Sequence, residues 1–265
     1  MPYSRANGVK IHYEISGEGV PFVFVHATPF DHNLFLYQVS HFSTYFKVIA
    51  VDMRGFGRSE KPTGEFSLGE MAKDILGVCR DEEVKRAILL GASVGSGIAL
   101  WLALNHPELF QALILVGGNS GPGAHIPELI RGYTEVGVET YRLEQMKNLL
   151  TPDFMQSRIG NYLVRCALET NPWLSGESLG QVFRARGGTD LTPRLHEIKI
   201  PTLVINGEHD GSLAAGRRTA ETIPGAVHKI LPKTSHACCV EDPAGFDALV
   251  GDFLRAHDLM PGAAG

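Results

Sequence analysis

Runs of apolar residues alternate with helical patterns along most of the chain. Five short stretches are almost wholly apolar, which is typical of strands covered on both faces. They lie at residues 21–26, 47–51, 86–91, 111–116 and 201–205. Residues 9–16 alternate apolar and polar side chains instead, which predicts an edge-type antiparallel strand or a hairpin arm.

Helical periodicity separates these strands. The clearest helix covers residues 67–80, where Ser67 and Glu70 have the spacing of a capping box. Residues 94–105 and 243–257 predict two further helices. Because strands joined by helices imply parallel crossovers, the sequence predicts an α/β fold with a doubly wound, mostly parallel sheet.

The alternation stops between about Asn119 and Arg194. This part holds two helical stretches, 127–150 and 153–170, and no run of the buried-strand type. We interpret it as an inserted helical cap. The predicted division is a core of residues 1–118 and 195–260, a cap of residues 119–194 and a flexible tail of residues 261–265.

A candidate nucleophile lies where the third buried-type run ends. Ligands bind beyond the carboxyl ends of the strands in an open parallel sheet, so these ends are where chemistry is expected. Residues 91–95 match G-x-S-x-G, in which a sharp strand-to-helix turn lifts a serine hydroxyl above the sheet. An apolar strand precedes the motif and an apolar helical stretch follows it. The context therefore favours Ser93 as a nucleophile.

A serine hydroxyl needs a base, and the base needs a partner that orients it. His236 follows the apolar stretch 226–231, just before the last predicted helix. Asp210 lies four residues past Asn206, at the end of strand 201–205. We predict that Ser93, His236 and Asp210 form a catalytic triad.

With these residues in place, the chain resembles the α/β-hydrolase superfamily over nearly its whole length. The chain order Ser, Asp, His is that of the fold. Within the superfamily it is most similar to small bacterial esterases of the cofactor-free haloperoxidase type, enol-lactone hydrolases and meta-cleavage-product hydrolases. The resemblance rests on an HGxP-like segment at His26–Pro29, a DxRGxGxS loop at Asp52–Ser59, the turn at Ser93, a GExD loop at Gly207–Asp210 and an H-x₄-E-x-P segment at His236–Pro243.

The resemblance implies a mechanism and an oxyanion hole. Ser93 would attack a carbonyl while His236 takes its proton, and the backbone N–H groups of Val94 and Thr28 would bind the oxyanion. Ala27 stands where the family usually has glycine. If that position needs a positive φ, alanine is strained there and the oxyanion hole is displaced.

Three functions follow from these residues. The first is hydrolysis of a small to medium carboxylic ester or lactone through an acyl-enzyme. The second is carbon–carbon bond hydrolysis of a meta-cleavage product, for which Arg184 or Arg186 would anchor a carboxylate. The third is ligand sensing with low turnover on the same fold. The candidate substrate-pocket residues are Phe30, His32, Phe154 and Trp173.

Composition narrows the class of protein further. The chain has 265 residues, 44% of them hydrophobic, which excludes a disordered segment. Its net charge of −5 provides no basic surface for nucleic acid or an anionic membrane, so we expect a small-molecule substrate. We also expect a cytoplasmic location, no metal and no organic cofactor, because no signal peptide, spanning segment, ligand cluster or phosphate-binding loop is recognised. A homo-oligomer is left open.

Overall fold

Eight strands form one sheet in the computed structural model, which describes residues 2–261. The strands are β1 (Tyr3–Ser4), β2 (Ile11–Ser16), β3 (Pro21–Val25), β4 (Lys47–Val51), β5 (Ala87–Ala92), β6 (Phe110–Val116), β7 (Thr202–Gly207) and β8 (Val227–Leu231). Their order is β1-β2-β4-β3-β5-β6-β7-β8. The pairs β1/β2 and β2/β4 are antiparallel, and all pairs from β4/β3 to β7/β8 are parallel.

Helices connect these strands and cover both faces of the sheet. They are α1 (Leu36–Phe42), α2 (Leu68–Asp81), α3 (Val94–Asn105), α4 (Ile126–Arg131), α5 (Val138–Leu149), α6 (Pro152–Gln156), α7 (Arg158–Leu168), α8 (Gly176–Gly187), α9 (Leu213–Thr222), α10 (Cys238–Glu241) and α11 (Pro243–Ala256). The predicted capping box forms at the start of α2, where Ser67 and Glu70 each accept the other's backbone N–H.

The alternation of side chains along β3 shows why the sheet is covered on both sides. Val23 and Val25 point into an apolar cluster that includes residues of α2 and α3. Phe22 and Phe24 point the other way, into a cluster that includes residues of α1 and α11. All four side chains are fully buried. A continuous apolar run is therefore what a strand between two helical layers requires.

The structure confirms the predicted fold class and adds what the pattern did not predict. The alternating segment becomes β2, which lies between β1 and β4 rather than at the edge. The edge beyond β7 is β8, and it was not predicted as a strand. Of its residues only Leu231 is buried, because a strand at the edge of the sheet is less covered, and Val227 and Ile230 are apolar but exposed.

Residues 119–194, which we call the cap segment, contain α4 to α8 and no strand. Buried residues of α8 join the same apolar cluster as α2 and α3, so part of the segment packs into the core. The division into core and cap units stays a prediction. Of the predicted flexible tail, residues 262–265 lie outside the described residues. Within residues 2–261, every helix is too short or too polar to cross a membrane.

Candidate active site

Ser93 occupies the sharp turn between β5 and α3. Its backbone has φ 53° and ψ −113°, a left-handed conformation that costs energy in any residue other than glycine. The turn is tight because α3 approaches β3 closely: a Cβ on Gly95 would lie 2.2 Å from the carbonyl oxygen of Val25. Only glycine fits there. The half-buried serine is thus presented at the wall of a cavity.

His236 and Asp210 reach the same cavity from the loops after β8 and β7. The distance from His236 Nδ1 to Asp210 Oδ1 is 2.9 Å. The imidazole lies against the turn after β6, where a Cβ on Gly117 would come within 2.7 Å of its Cε1. Gly117 has φ +57°, so two separate demands require glycine at this position.

The carboxylate of Asp210 is built to stay ionised. Burial alone would raise its pKa, but His236 and hydrogen bonds from Ser212 and Asn206 outweigh burial and hold the pKa well below its usual range. The Ser212 N–H and hydroxyl each donate to Oδ1 at 2.8 Å, and Asn206 donates to Oδ2 at 2.8 Å. An ionised Asp210 accepts from His236, so Nδ1 carries the proton and Nε2 carries the lone pair.

Two buried residues beside Ser93 have backbone N–H groups without a hydrogen-bond acceptor among the described residues. They are Thr28, in the loop after β3, and Val94, the first residue of α3; both residues line the cavity. The first N–H groups of a helix carry partial positive charge, as that of Val94 does at the start of α3, and a second unpaired N–H at Thr28 would complete a site for a developing oxyanion.

The loop after β3 has an unstrained backbone at Ala27. Among the described residues, the non-glycine positions with positive φ are Glu83, Ser93, Lys233 and Asp258, so the strain considered for Ala27 is absent. Its methyl group is buried in the apolar cluster beside α1 and α11. Alanine is accommodated because this φ does not call for glycine.

His26 forms hydrogen bonds that connect this loop to the loop after β4. Its Nε2 accepts the N–H of Met53 at 3.0 Å, so its Nδ1 carries the proton and donates to the carbonyl oxygen of Ala27. Burial lowers the pKa of His26, which fits a neutral ring. His26 is thus a structural residue of the loop.

His12, His32 and Asp52 bring three ligand atoms within 4.8 Å of one another, an arrangement that could hold a metal ion. Both oxygens of Asp52 are already occupied. Oδ1 accepts from the N–H and Nδ1 of His32, and Oδ2 accepts from His12 Nδ1 and the N–H of Arg58. A metal would have to displace these bonds, which tie β2 and the turn before α1 to the loop after β4.

The cavity has a volume of about 520 Å³ and lies between the sheet edge and the cap segment. Its walls include Ser93, Asp210, His236, Thr28 and Val94. The structure thus brings together five of the residues singled out from the sequence. The cap segment adds a wall of mixed character. Its polar residues are Asn119, His125, Glu128, Tyr141, Gln145, Asn148 and Arg186, and its apolar residues include Ile126, Leu129, Leu149 and Phe183.

The four residues predicted to line the substrate pocket lie elsewhere. Among the described residues that line the cavity, Phe30, His32, Phe154 and Trp173 do not occur. Phe30 and Phe154 pack against the apolar cluster beside α1 and α11, and His32 binds Asp52. Trp173 is 64% exposed. Aromatic character alone was a poor guide, because the aromatic residues with which the cap segment lines the cavity are Tyr141 and Phe183 instead.

Most of the polar residues in this wall were not predicted from the sequence. His125 comes close enough to His236 for their charges to interact: burial lowers the pKa of His125, and His236 lowers it further. Arg186 was considered only as a carboxylate anchor of unknown position. It is buried, which lowers its pKa to about 10, and it donates to the carbonyl oxygens of Asn119, Gly121 and Thr189. No local pattern marks such contacts.

Comparison with known proteins places this geometry in a family. A family model for the alpha/beta hydrolase fold matches residues 20–245. A 2-hydroxy-6-oxononadienedioate/2-hydroxy-6-oxononatrienedioate hydrolase from Cupriavidus pinatubonensis is 31% identical, with 79% of this chain and 76% of that protein covered. A 3-oxoadipate enol-lactonase from Acinetobacter baylyi is 25% identical, with 94% and 95% covered.

A solved structure extends the likeness to the whole chain. The enol-lactonase from Burkholderia xenovorans superposes with a TM-score of 0.87 at 28% identity, covering 96% of this chain and 100% of that one. The family model spans most of the chain and includes the turn at Ser93 and the residues at 210 and 236. The chain therefore belongs to the α/β-hydrolase fold family, and it is a hydrolase.

Proposed function

We propose that the protein is a serine hydrolase that cleaves a small to medium carboxylic ester or lactone through an acyl-enzyme. The observation that carries the proposal is the 2.9 Å hydrogen bond between His236 and Asp210, at the wall of the cavity to which the turn presents Ser93. A base that is oriented by an ionised carboxylate and shares a cavity with a serine is the arrangement that acyl transfer needs.

The proposed reaction has two halves. The Ser93 oxygen attacks the carbonyl carbon while His236 Nε2 takes the hydroxyl proton, and the resulting oxyanion is bound by the N–H groups of Thr28 and Val94. His236 then gives the proton to the departing alcohol oxygen. Water attacks the acyl-enzyme by the same route, and the proton returns to Ser93 as the acid leaves. Asp210 stays ionised and stabilises the imidazolium.

The polar residues that the cap segment contributes to the cavity favour a substrate with polar groups of its own. Gln145 and Asn148 line the cavity from α5, and Arg186 lines it from α8. Gln145 already accepts from the Tyr133 hydroxyl, and Arg186 already donates to three backbone carbonyl oxygens. The exposed amide of Asn148, by contrast, can bind a polar substituent of the substrate. A lactone or ester with an oxo, hydroxyl or carboxylate substituent fits this wall better than an alkyl ester, and two enol-lactonases are among the relatives.

The test is a panel of p-nitrophenyl esters and lactones assayed with wild type and Ser93→Ala. We expect the substitution to lower kcat by a factor of about 10⁶, with the oxyanion hole leaving a small residual rate. Near wild-type turnover by Ser93→Ala would overturn the proposal. Labelling of Ser93 by a fluorophosphonate without turnover of any substrate would favour the ligand-sensing alternative.

Carbon–carbon bond hydrolysis is the second candidate, and Arg186 is the observation that favours it. Its buried guanidinium lines the cavity and makes no ion pair with a carboxylate in residues 2–261. A substrate dienoate could supply that charge. Turnover of 2-hydroxy-6-oxo dienoates with a kcat/KM above that of every ester and lactone in the panel would decide for this candidate.

A further inference from the structure

One helix of the cap segment reaches both loops that the proposed reaction uses. Helix α5 lines the cavity with Tyr141, Gln145, Asn148 and Leu149. The same helix carries Arg142, which is 1% exposed. Helix α5 contacts the loop after β3 through Arg142 and the loop after β8 through its last residue, Leu149.

Arg142 binds the loop that carries Thr28. Its Nε and Nη2 both donate to the carbonyl oxygen of Pro29, at 3.0 and 2.7 Å. Pro29 follows Thr28 directly, so this clamp acts one residue from the N–H proposed for the oxyanion hole. His26 holds the same loop from beneath through Ala27.

The rest of the Arg142 guanidinium is held inside the cap segment. Nη1 donates to the carbonyl oxygen of Ala167 at 2.5 Å and to Thr170 Oγ1 and Asn171 Oδ1 at 2.8 Å each. These acceptors are all neutral, and Arg142 forms no ion pair in the described part of the chain. Burying a cation without an anion costs free energy. An arginine at this position therefore indicates that the several N–H donors of its planar guanidinium are needed.

The far end of α5 binds the loop that carries His236. The carbonyl oxygen of Leu149 accepts the N–H of Ala237 at 3.0 Å. Just beyond α5, the N–H and hydroxyl of Thr151 donate to one oxygen of Glu241 at 2.7 and 2.6 Å. The other oxygen of Glu241 accepts the N–H of Ser235 at 2.5 Å. Both neighbours of His236 are therefore tied to the cap segment.

We infer that Arg142 is a positioning residue for the oxyanion hole, and that α5 fixes the oxyanion loop relative to the base loop by binding Pro29 through Arg142 and Ala237 through Leu149. The inference rests on the proposed function. It makes catalysis depend on the position of the cap segment, because displacement of α5 would release the loops that carry Thr28 and His236.

The experiment compares Arg142→Met with a matched control, Gln181→Met. Gln181 is buried in α8 and donates to the carbonyl oxygen of Phe66 at 3.1 Å, so it also anchors the cap segment to the core but through a hydrogen bond that does not involve the oxyanion loop. For p-nitrophenyl butyrate we expect Arg142→Met to lower kcat about 10- to 100-fold with KM within threefold, since small misplacement of reacting groups is costly. Gln181→Met is expected to stay within threefold in both.

Inhibition by a transition-state analogue distinguishes misplacement of the oxyanion hole from a general loss of order in the cap segment. An alkyl trifluoromethyl ketone forms a hemiketal with the nucleophile and places its oxyanion in the hole. Its inhibition constant is expected to rise by the same factor as kcat falls in Arg142→Met. The pH midpoint of kcat/KM is expected to stay unchanged, because the base is intact. Arg142→Lys keeps the cation and one donor, and is expected to recover part of both losses.

Several outcomes would overturn the inference. They are equal losses in Arg142→Met and Gln181→Met, a loss confined to KM, or a fall in kcat without weaker inhibition. If Arg142→Met cannot be isolated folded, as judged by thermal unfolding, Arg142→Lys against Gln181→Met carries the same comparison. Failure of the proposed function is recognised separately, because Ser93→Ala would then retain turnover.

Discussion

The two walls of the cavity are built in different ways. The sheet wall places Ser93, Asp210 and His236 on turns that follow β5, β7 and β8, and close backbone packing at Gly95 and Gly117 fixes those turns. The cap wall consists of residues of α4, α5, α8 and the loop before α4, and hydrogen bonds between residues far apart in sequence hold the cap segment against the core. In our proposal the sheet wall performs the chemistry, and the cap wall selects the substrate and aligns the loops.

The largest effect in this comparison is expected at Asp210. Asp210→Asn keeps the shape of the side chain but removes the charge that fixes the His236 tautomer, and kcat should fall by a factor of about 10⁴. Steady-state kinetics on the most active ester or lactone measures this loss. Ser212→Ala, which removes only one hydrogen bond to Asp210, serves as the control and should lose far less. Equal kinetics of wild type and Asp210→Asn would contradict the division between the walls.

Gly95→Ala tests whether backbone packing fixes the sheet wall. The added Cβ would meet a backbone oxygen at 2.2 Å, which cannot move aside like a flexible side chain. We expect the free energy of unfolding to fall by about 3 kcal/mol, as overpacking does in other cores. Urea denaturation measures it. The control is Gly64→Ala, where a Cβ would have no neighbour within 4 Å. Equal stability of the two variants would show that α3 adjusts.

Low pH is expected to reduce the free energy of unfolding through two buried carboxylates, Asp52 and Asp210. Burial would raise the pKa of both Asp52 and Asp210, but their histidine partners and hydrogen bonds hold both below the usual range. A carboxyl with a depressed pKa in the folded state stabilises the fold above its unfolded pKa of about 3.9, and that contribution is lost as the pH falls further.

Urea denaturation between pH 7 and pH 3 measures this dependence. Wild type should lose stability below about pH 4, and Asp210→Asn should lose less over the same interval because it has no proton to bind. Identical curves for the two proteins would mean that Asp210 is not held ionised by its partners.

The smallest effect is expected on the cap wall. Asn148→Ala removes one exposed polar group from the cavity lining and no contact that positions Ser93 or His236. For a substrate with a polar substituent we expect KM to rise up to about tenfold, the range of one neutral hydrogen bond, with kcat nearly constant. The unsubstituted ester is the control substrate. A large loss in kcat would show that the cap wall takes part in the chemistry.

The same contrast explains what the sequence could predict. The turn at Ser93 is a local pattern of strand, small residues and helix, so it is readable from residues 86–105. The partners of Arg142 are 25 to 113 residues away from it, and nothing in the local pattern of α5 points to Pro29. Strand β8 was not predicted because His228 and Lys229 interrupt its apolar run. Trp173 was misjudged because an exposed aromatic residue has the same sequence pattern as a buried one.

Glu241 has a consequence for exchanging caps between relatives. Its carboxylate is shared by Thr151, inside the cap segment, and Ser235, next to the base. A chimera cut at the ends of residues 119–194 would transplant Thr151 and leave Ser235 and Glu241 behind. Position 241 would therefore have to be exchanged together with the cap, although more than forty residues of chain separate it from the cut.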